Sequence, residues 1–177
     1  MRKNALFPLT LLFLICSCKS PTDKEQISKS EYFDIKGYFE AEISRVSKLK
    51  PSIKKTVAVN GILETKTIKI KDWKHELSAF SDADINRASW KGLFIVSKMD
   101  TMETYLSEND KVTVREVTVK LRKGQVYKIS IVIQNKNMLY DSVDSLIYVA
   151  DSLYRVKKQQ NIKFLSTKNY LIEGKFK

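Results

Sequence analysis

Few side chains in this sequence could act as acids, bases, nucleophiles or metal ligands. The single histidine, His75, has no second histidine to join it at a metal, and the motifs of zinc proteases, serine hydrolases and nucleotide-binding loops are absent. The best-placed carboxylates are Asp82 and Asp84, which bracket a turn. A glycosidase-type hydrolase needs two acids across a cleft, but capping and solvation also explain acids in turns. We therefore expect no enzyme, no metal and no cofactor, and keep a carboxylate-dependent envelope hydrolase as the alternative.

Both cysteines of the chain, Cys16 and Cys18, follow an apolar stretch near its start. Arg2 and Lys3 precede eleven uncharged residues, 5–15, which would form a helix of about 16 Å, half the thickness of a bilayer core. These proportions are typical of a secretory signal peptide. Removal of that segment ahead of Cys18 would leave a folded chain without disulfides, thiolate metal sites or cysteine nucleophiles.

The sequence around the second cysteine, Ile15-Cys16-Ser17-Cys18, resembles the lipobox of bacterial lipoproteins. The resemblance implies cleavage before Cys18, attachment of diacylglycerol to its Sγ and acylation of the new amino group. Cys16 is the competing candidate, but the bulky Ile15 would then stand where a lipobox has a small residue. Three acyl chains would hold the protein stably on a bilayer without a spanning helix.

The chain is predicted to have three parts: a lipoprotein signal peptide over residues 1–17, a lipidated tether over 18–27 and a single domain over 28–177. The tether is polar and contains Pro21, as flexible linkers often do. No aspartate follows Cys18 directly, which by resemblance to enterobacterial lipoproteins implies export to the outer membrane. Loss of Arg2 and Lys3 with the signal peptide would lower the net charge from +12 to +10.

The domain is predicted to begin with a long helix and a hairpin. Ser28 and Glu31 fit a capping box. Apolar residues then recur at spacings of three and four up to Pro51, which gives the stripe Tyr32, Ile35, Phe39, Ile43, Val46 and Leu49. Asn60-Gly61 predicts a type I′ hairpin turn. Asp72 fits the N-cap of a short helix over residues 73–80.

From Trp90 onward the apolar residues alternate with polar ones, and short turns such as Asn135-Lys136-Asn137 separate the strands. A slip in the alternation predicts a β-bulge near Arg115 and Glu116. Strands joined without intervening helices indicate an antiparallel meander. We therefore predict an α+β fold, in which a curved antiparallel meander packs against one long N-terminal helix, with a short inserted helix. A half-barrel is one form that such a sheet could take.

One segment is more distinctive than the rest. Asp72-Trp73, Glu76-Leu77, Phe80, Asp84-Ile85-Asn86-Arg87 and Trp90 resemble a pattern in lipoproteins of Bacteroidetes, which carry it ahead of a β-rich half. That family has no assigned activity, so the resemblance implies a location and a single-domain architecture. Trp73, Phe80 and Trp90 could form a lid over one end of the sheet, or a candidate ligand-binding aromatic cluster. We expect Asp84 and Asn86 to cap the connecting turn.

The lysines alternate with apolar residues, as on the solvated face of a sheet, and are not interleaved with aromatic residues along a groove. We therefore expect no nucleic-acid partner. The leading hypothesis is a lipid-anchored envelope protein that serves as a binding or structural module for a hydrophobic ligand or an envelope partner. A cavity between helix and sheet would hold such a ligand, with a lining of Tyr127, Ile129, Ile131 and Ile133.

Overall fold

The computed structural model describes residues 31–177, which form one nine-stranded antiparallel sheet with few helices. The helices are α1 (Ile35–Leu49), α2 (Trp73–Glu76), α3 (Ser78–Ser81) and a single 3₁₀ turn (Ala88–Trp90). The strands are β1 (Ser52–Val59), β2 (Ile62–Lys69), β3 (Ile95–Met99), β4 (Met102–Leu106), β5 (Val114–Arg122), β6 (Gln125–Lys136), β7 (Tyr140–Val149), β8 (Leu153–Ile162) and β9 (Lys168–Phe176).

The strand order is β2-β1-β9-β8-β7-β6-β5-β4-β3, so the sheet is open and β2 and β3 are its edges. Strands β3 to β9 form the predicted meander, in which each strand pairs with the next. The β1–β2 hairpin joins this meander at β9 and not beside β3, a placement that the sequence did not predict. The chain from Lys69 to Ile95 therefore connects the two opposite edges, and α2, α3 and the 3₁₀ turn lie on this connection.

Helix α1 begins later than the capping box predicted. Its N-cap is Asp34, whose side chain accepts a hydrogen bond from the backbone N–H of Gly37 at 2.8 Å. The predicted cap, Ser28, lies outside the described residues. Tyr32 precedes the helix, is buried, and donates its backbone N–H to the side chain of Asn86 at 3.0 Å. A long-range contact thus fixes the entry to α1, and no local pattern could show it.

The apolar stripe of α1 packs on the sheet, but one of its members is a carboxylate. Ile35, Phe39 and Val46 are fully buried as predicted, whereas Leu49 is largely exposed at the end of the helix. Glu42 lies on the same buried face, with 8% of its surface exposed. Burial of a charged group is costly unless partners satisfy it, so Glu42 must have bonding partners on the sheet.

Several local predictions are confirmed, and one turn is misplaced. The hairpin turn at Asn60-Gly61 has positive φ at both residues, 49° and 86°, as a type I′ turn requires. The strand register of β5 shifts between Val114 and Glu116, where the β-bulge was predicted. The turn predicted at Asn135 is wrong, because β6 continues through Lys136 and the chain reverses over residues 137–139.

The short inserted helix is divided into two pieces. Asp72 caps the first of them, α2, and accepts a hydrogen bond from the backbone N–H of His75 at 2.9 Å, as predicted. The helix does not continue to Phe80, because Leu77 interrupts it with a φ of −103°. The side chain of Leu77 is fully buried. The connection therefore breaks into two short helices at Leu77, whose side chain packs into the core.

The core lies between α1–α3 and one face of the sheet. Its largest fully buried side chains include three tyrosines of the sheet, Tyr105, Tyr148 and Tyr154. Gly174 lies directly opposite Tyr154 on the neighbouring strand, and a Cβ at this glycine would overlap the tyrosine ring. Glycine at this position therefore lets an aromatic ring lie against the sheet backbone.

Candidate functional site

The three aromatic residues singled out as a candidate ligand-binding cluster are buried in the core. They lie at separate places, and each packs on a different phenylalanine: Trp73 on Phe176, Phe80 on Phe39 and Trp90 on Phe94. The ring of Trp73 is stacked, with 5.8 Å between centroids and 7° between planes. No ring pair joins two of the three residues within the described part of the chain. They fill the core between the connection and the sheet.

The carboxylates of the alternative hydrolase hypothesis lie in the turn after α3. Asp82 is exposed, and Asp84 is half-buried and accepts a hydrogen bond from the backbone N–H of Asn86 at 2.9 Å, as the predicted turn cap requires. The amide of Asn86 in turn donates to the backbone carbonyl of Phe33 at 3.1 Å. These contacts give the distinctive segment a structural role: Asp84 holds Asn86 in place, and Asn86 bonds the chain just before α1.

A further carboxylate, Asp144 on β7, lies directly opposite Lys158 of β8, with 3.3 Å between Oδ2 and Nζ. Burial raises the pKa of Asp144, although the charge and the hydrogen bond of Lys158 act to lower it. The neighbouring Ser142 is buried, and its Oγ has no hydrogen-bond partner among the described residues. The contacts of Asp144 are those of an ion pair with Lys158, and they do not by themselves make the two-acid arrangement that glycoside hydrolysis needs.

Three buried tyrosines donate hydrogen bonds to glutamates that are also bound by cations, and the sequence analysis missed this arrangement. The sets are Tyr148, Glu42 and Arg45; Tyr154, Glu76 and Lys55; and Tyr105, Glu103 and Lys98. In the second set both oxygens of the carboxylate are used, at 2.7 Å from the tyrosine hydroxyl and 2.7 Å from the lysine. Two of these sets hold helices to the sheet.

Burial raises the pKa of all three tyrosines above the usual range, and the hydrogen-bonded carboxylate raises it further. The phenols therefore stay protonated and act as donors. Each glutamate lies next to a cation, so every set contains its own ion pair. We interpret them as structural. Glu42 is the residue from which the sequence could have predicted such a set, because an acid on the apolar face of a helix needs a bonding partner when it is buried.

The face of the sheet that the helices leave uncovered carries a groove of about 450 Å³. It extends over β2, β1, β9, β8 and β7, near the end of the sheet at which β1 turns into β2. Two rows of cross-strand neighbours form its floor: Leu63, Ala58, Leu171, Lys157 and Ser145 in one row, and Asn169, Gln159 and Val143 in the other. Side chains in one such row lie on the same face.

The floor of the groove combines an apolar strip with a central cation. Leu63, Ala58 and Leu171 form a continuous apolar strip over three strands, and Val143 is the apolar residue on the far side. Lys157 follows Leu171 in the row and is exposed. Within residues 31–177 no carboxylate lies within 4.0 Å of its Nζ, so its charge is not neutralised by an ion pair there. This lining can receive an alkyl chain and an anionic group together.

Three of the four residues predicted to line a cavity pack into the core, whereas Tyr127 is half-buried, with the guanidinium of Arg122 4.6 Å from its ring centroid. Ile129 and Ile131 are fully buried and belong to the core cluster that includes Phe39 of α1. Ile133 is partly buried and packs against the same cluster. The helix-covered face therefore leaves little room for a hydrophobic ligand, and the uncovered face is the better candidate.

Comparisons with known proteins assign no function to this chain, so a proposal must rest on the geometry of the sheet. The chain matches no family model, no curated protein and no solved structure. In the described range, 31–177, no helix is both long and apolar enough to cross a membrane. Over that same range, no group of three histidine, cysteine or acidic side chains could hold a metal ion. The candidate lipidation site, Cys18, lies outside it.

Proposed function

We propose that this chain is a lipid-anchored protein of the bacterial cell envelope that binds an anionic amphiphile, such as a long-chain carboxylate, on the uncovered face of its sheet. Cys18 would carry the anchor. The absence of an aspartate directly after Cys18, by resemblance to enterobacterial lipoproteins, favours the outer membrane as its location. In this proposal the domain is an α+β half-barrel, whose helices fill one face and leave the other for the ligand.

The observation that carries the proposal is the lining of the 450 Å³ groove. Sites for small ligands typically have volumes of roughly 300–1,000 Å³ and mainly apolar walls with a few placed polar groups. Leu63, Ala58 and Leu171 would contact the alkyl chain, and Lys157 would bind the anionic head. The net charge, +12 for the full sequence and +10 after loss of Arg2 and Lys3, favours an anionic ligand over a cationic one.

Replacement of the central lysine tests the groove directly. We expect Lys157→Met to raise the dissociation constant of dodecanoate about 10- to 100-fold, because a charge-assisted hydrogen bond contributes about 1.5–3 kcal/mol. Isothermal titration of the purified full chain, below the micelle concentration, measures this. The matched control is Lys54→Met, an exposed lysine of β1 that does not line the groove. Equal effects of the two substitutions, or no binding by the parent chain, would refute the groove.

The anchor has its own test in the native bacterium. Metabolic labelling with palmitate should label the parent chain, and Cys18→Ala should abolish the label because the thioether needs this sulfur. Cys16→Ala, the matched control, should keep the label. An unlabelled parent chain, or a label that survives Cys18→Ala, would remove the anchor from the proposal and leave the groove to be judged by its titration.

A further inference from the structure

Three turns lie at the same end of the sheet as the groove. Because the strands are antiparallel, the turn of β1–β2 (60–61), that of β6–β7 (137–139) and that of β8–β9 (163–167) lie at one end. The β1–β2 turn is adjacent to the β8–β9 turn, since the backbone N–H of Asn60 donates to the carbonyl of Asn169, at the start of β9, at 2.8 Å. A partner or surface that binds this end of the domain would therefore contact all three turns.

Two of these turns carry large apolar side chains with almost no cover. Met138 is 93% exposed and Phe164 is 91% exposed, and Leu139 and Leu165 beside them are mostly exposed. Single exposed apolar residues are normal on a protein surface, but a contiguous group indicates an interaction site. We call Met138, Leu139, Phe164 and Leu165 the tip patch.

The backbone holds the two halves of the tip patch together. The N–H of Lys163 donates to the carbonyl of Leu139 at 2.9 Å, which joins the two turns directly. The side chain of Asn137 accepts from the N–H of Leu139 at 2.9 Å, and the N–H of Leu165 donates to Ile162 at 2.9 Å. The four apolar side chains are therefore presented as one surface at the end of the sheet.

Three lysines flank the tip patch, and one acid lies beside it, because Asp141 is the cross-strand neighbour of Lys136 and lines the same surface depression as Met138 and Leu139. Residues 136–139 and 163–168 contain three lysines, Lys136, Lys163 and Lys168, and no acidic residue. The Nζ of Lys163 lies 5.3 Å from the centroid of the Phe164 ring. Exposed apolar side chains flanked by lysines match a membrane interface, where the apolar groups enter the acyl region and the lysines meet anionic headgroups.

We infer that the tip patch inserts into the surface of a bilayer that contains anionic lipids. Insertion buries Met138, Leu139, Phe164 and Leu165 among acyl chains and places the three lysines at the level of the headgroups. The end of the sheet that holds the groove then faces the membrane, since Gly61 of the adjacent turn lines the groove. An amphiphile could thus pass between bilayer and groove over a short distance.

The path of α1 agrees with this orientation. Tyr32, just before the helix, packs on Tyr105 near the end of β4 on the tip side, with 5.9 Å between ring centroids. Arg45, near the other end of α1, bonds Asp151 at 2.6 Å, in the turn at the opposite end of the sheet. Residue 31, where the described structure starts, thus lies toward the tip side. Twelve residues separate Cys18 from it, and an extended chain of that length reaches about 40 Å.

A fluorescent reporter at the tip tests the inference on the full chain. The substitution Phe164→Trp places an indole in the tip patch, while the native Trp73 and Trp90 are buried in the core and give a constant background. The chain is reconstituted into vesicles of phosphatidylglycerol and phosphatidylcholine, some with spin-labelled acyl chains. We expect a shift of the reporter emission to shorter wavelength and quenching by the spin-labelled lipid. Substitution of serine for Met138, Leu139 and Leu165 should abolish both effects.

The matched control is Met99→Trp, an exposed position near the β3–β4 turn at the opposite end of the sheet. This reporter should stay in water and escape quenching, even if the chain is anchored. A tip reporter that is as solvent-exposed as this control would overturn the inference. Concentration-dependent burial of the tip reporter without lipid would also overturn it, because the patch would then bind a second copy of the chain. Dodecanoate titration is independent of both results, so failure of insertion and failure of the groove are distinguishable.

Discussion

Replacement of Glu42 by alanine lowers the free energy of unfolding by about 3 kcal/mol, because it strips a buried tyrosine and an arginine of their shared acceptor. The carboxylate of Glu42 accepts from the hydroxyl of Tyr148 and from Arg45, with 2.5 Å to Nη2 and 2.7 Å to Nε. In the variant the tyrosine hydroxyl stays buried without this acceptor, whereas Arg45 keeps its bond to Asp151 at 2.6 Å. Urea denaturation measures the loss.

The matched control for this variant is Glu40→Ala. Glu40 lies on the exposed side of the same helix, two residues away, and its removal should change stability by less than about 0.5 kcal/mol. In a double-mutant cycle, Tyr148→Phe should relieve part of the cost of Glu42→Ala, since no phenol is then left without an acceptor. Equal effects of Glu40→Ala and Glu42→Ala would contradict the role of the buried set.

Stability falls steeply as the pH rises above 10. Tyr105, Tyr148 and Tyr154 have pKa values raised above the usual range by burial and then by the adjacent carboxylates. In the unfolded chain tyrosines lose their protons near pH 10, so above that pH the unfolded state binds fewer protons than the folded one. The stabilisation is therefore complete below pH 10, and each tyrosine removes about 1.4 kcal/mol per pH unit above it. The three together contribute about −4 kcal/mol per pH unit, and Tyr38, whose pKa burial raises to about 12, adds about −1.4 kcal/mol per pH unit below that pH.

Denaturant titrations at several alkaline pH values measure this slope. Tyr148→Phe should make it shallower by about 1.4 kcal/mol per pH unit, because one titrating group is lost. Tyr170 on β9 is only half-buried, so Tyr170→Phe is the matched control and should leave the slope unchanged. A slope that does not respond to Tyr148→Phe would show that this phenol is not held protonated by the fold.

The local elements were predictable because neighbouring residues determine them. Asn60-Gly61 can adopt the positive φ values of its turn without help from distant parts of the chain. The shift of register between Val114 and Glu116 likewise appears in the sequence as a slip of alternation. The predicted meander from β3 to β9 follows from short turns between successive strands.

The order of the complete sheet was not predictable, because the pairing of β1 with β9 joins residues more than a hundred positions apart. The groove depends on that pairing, since its apolar strip exists only when Ala58 of β1 lies beside Leu171 of β9. The aromatic segment around Trp73 and Trp90 was conspicuous in the sequence, but its residues pack into the core. Sequence pattern marks which side chains are unusual, while long-range pairing decides which of them remain accessible.

The central claim is that the ligand binds the uncovered face of the sheet and not the core, and paramagnetic broadening tests it most directly. A spin-labelled fatty acid is added to the isotope-labelled chain, and the amide signals are followed by NMR. We expect selective broadening at Ala58, Leu171 and Val143, with Phe39 and Ile129 unaffected. Broadening centred on Phe39 and Ile129, or none at any residue, would contradict the account.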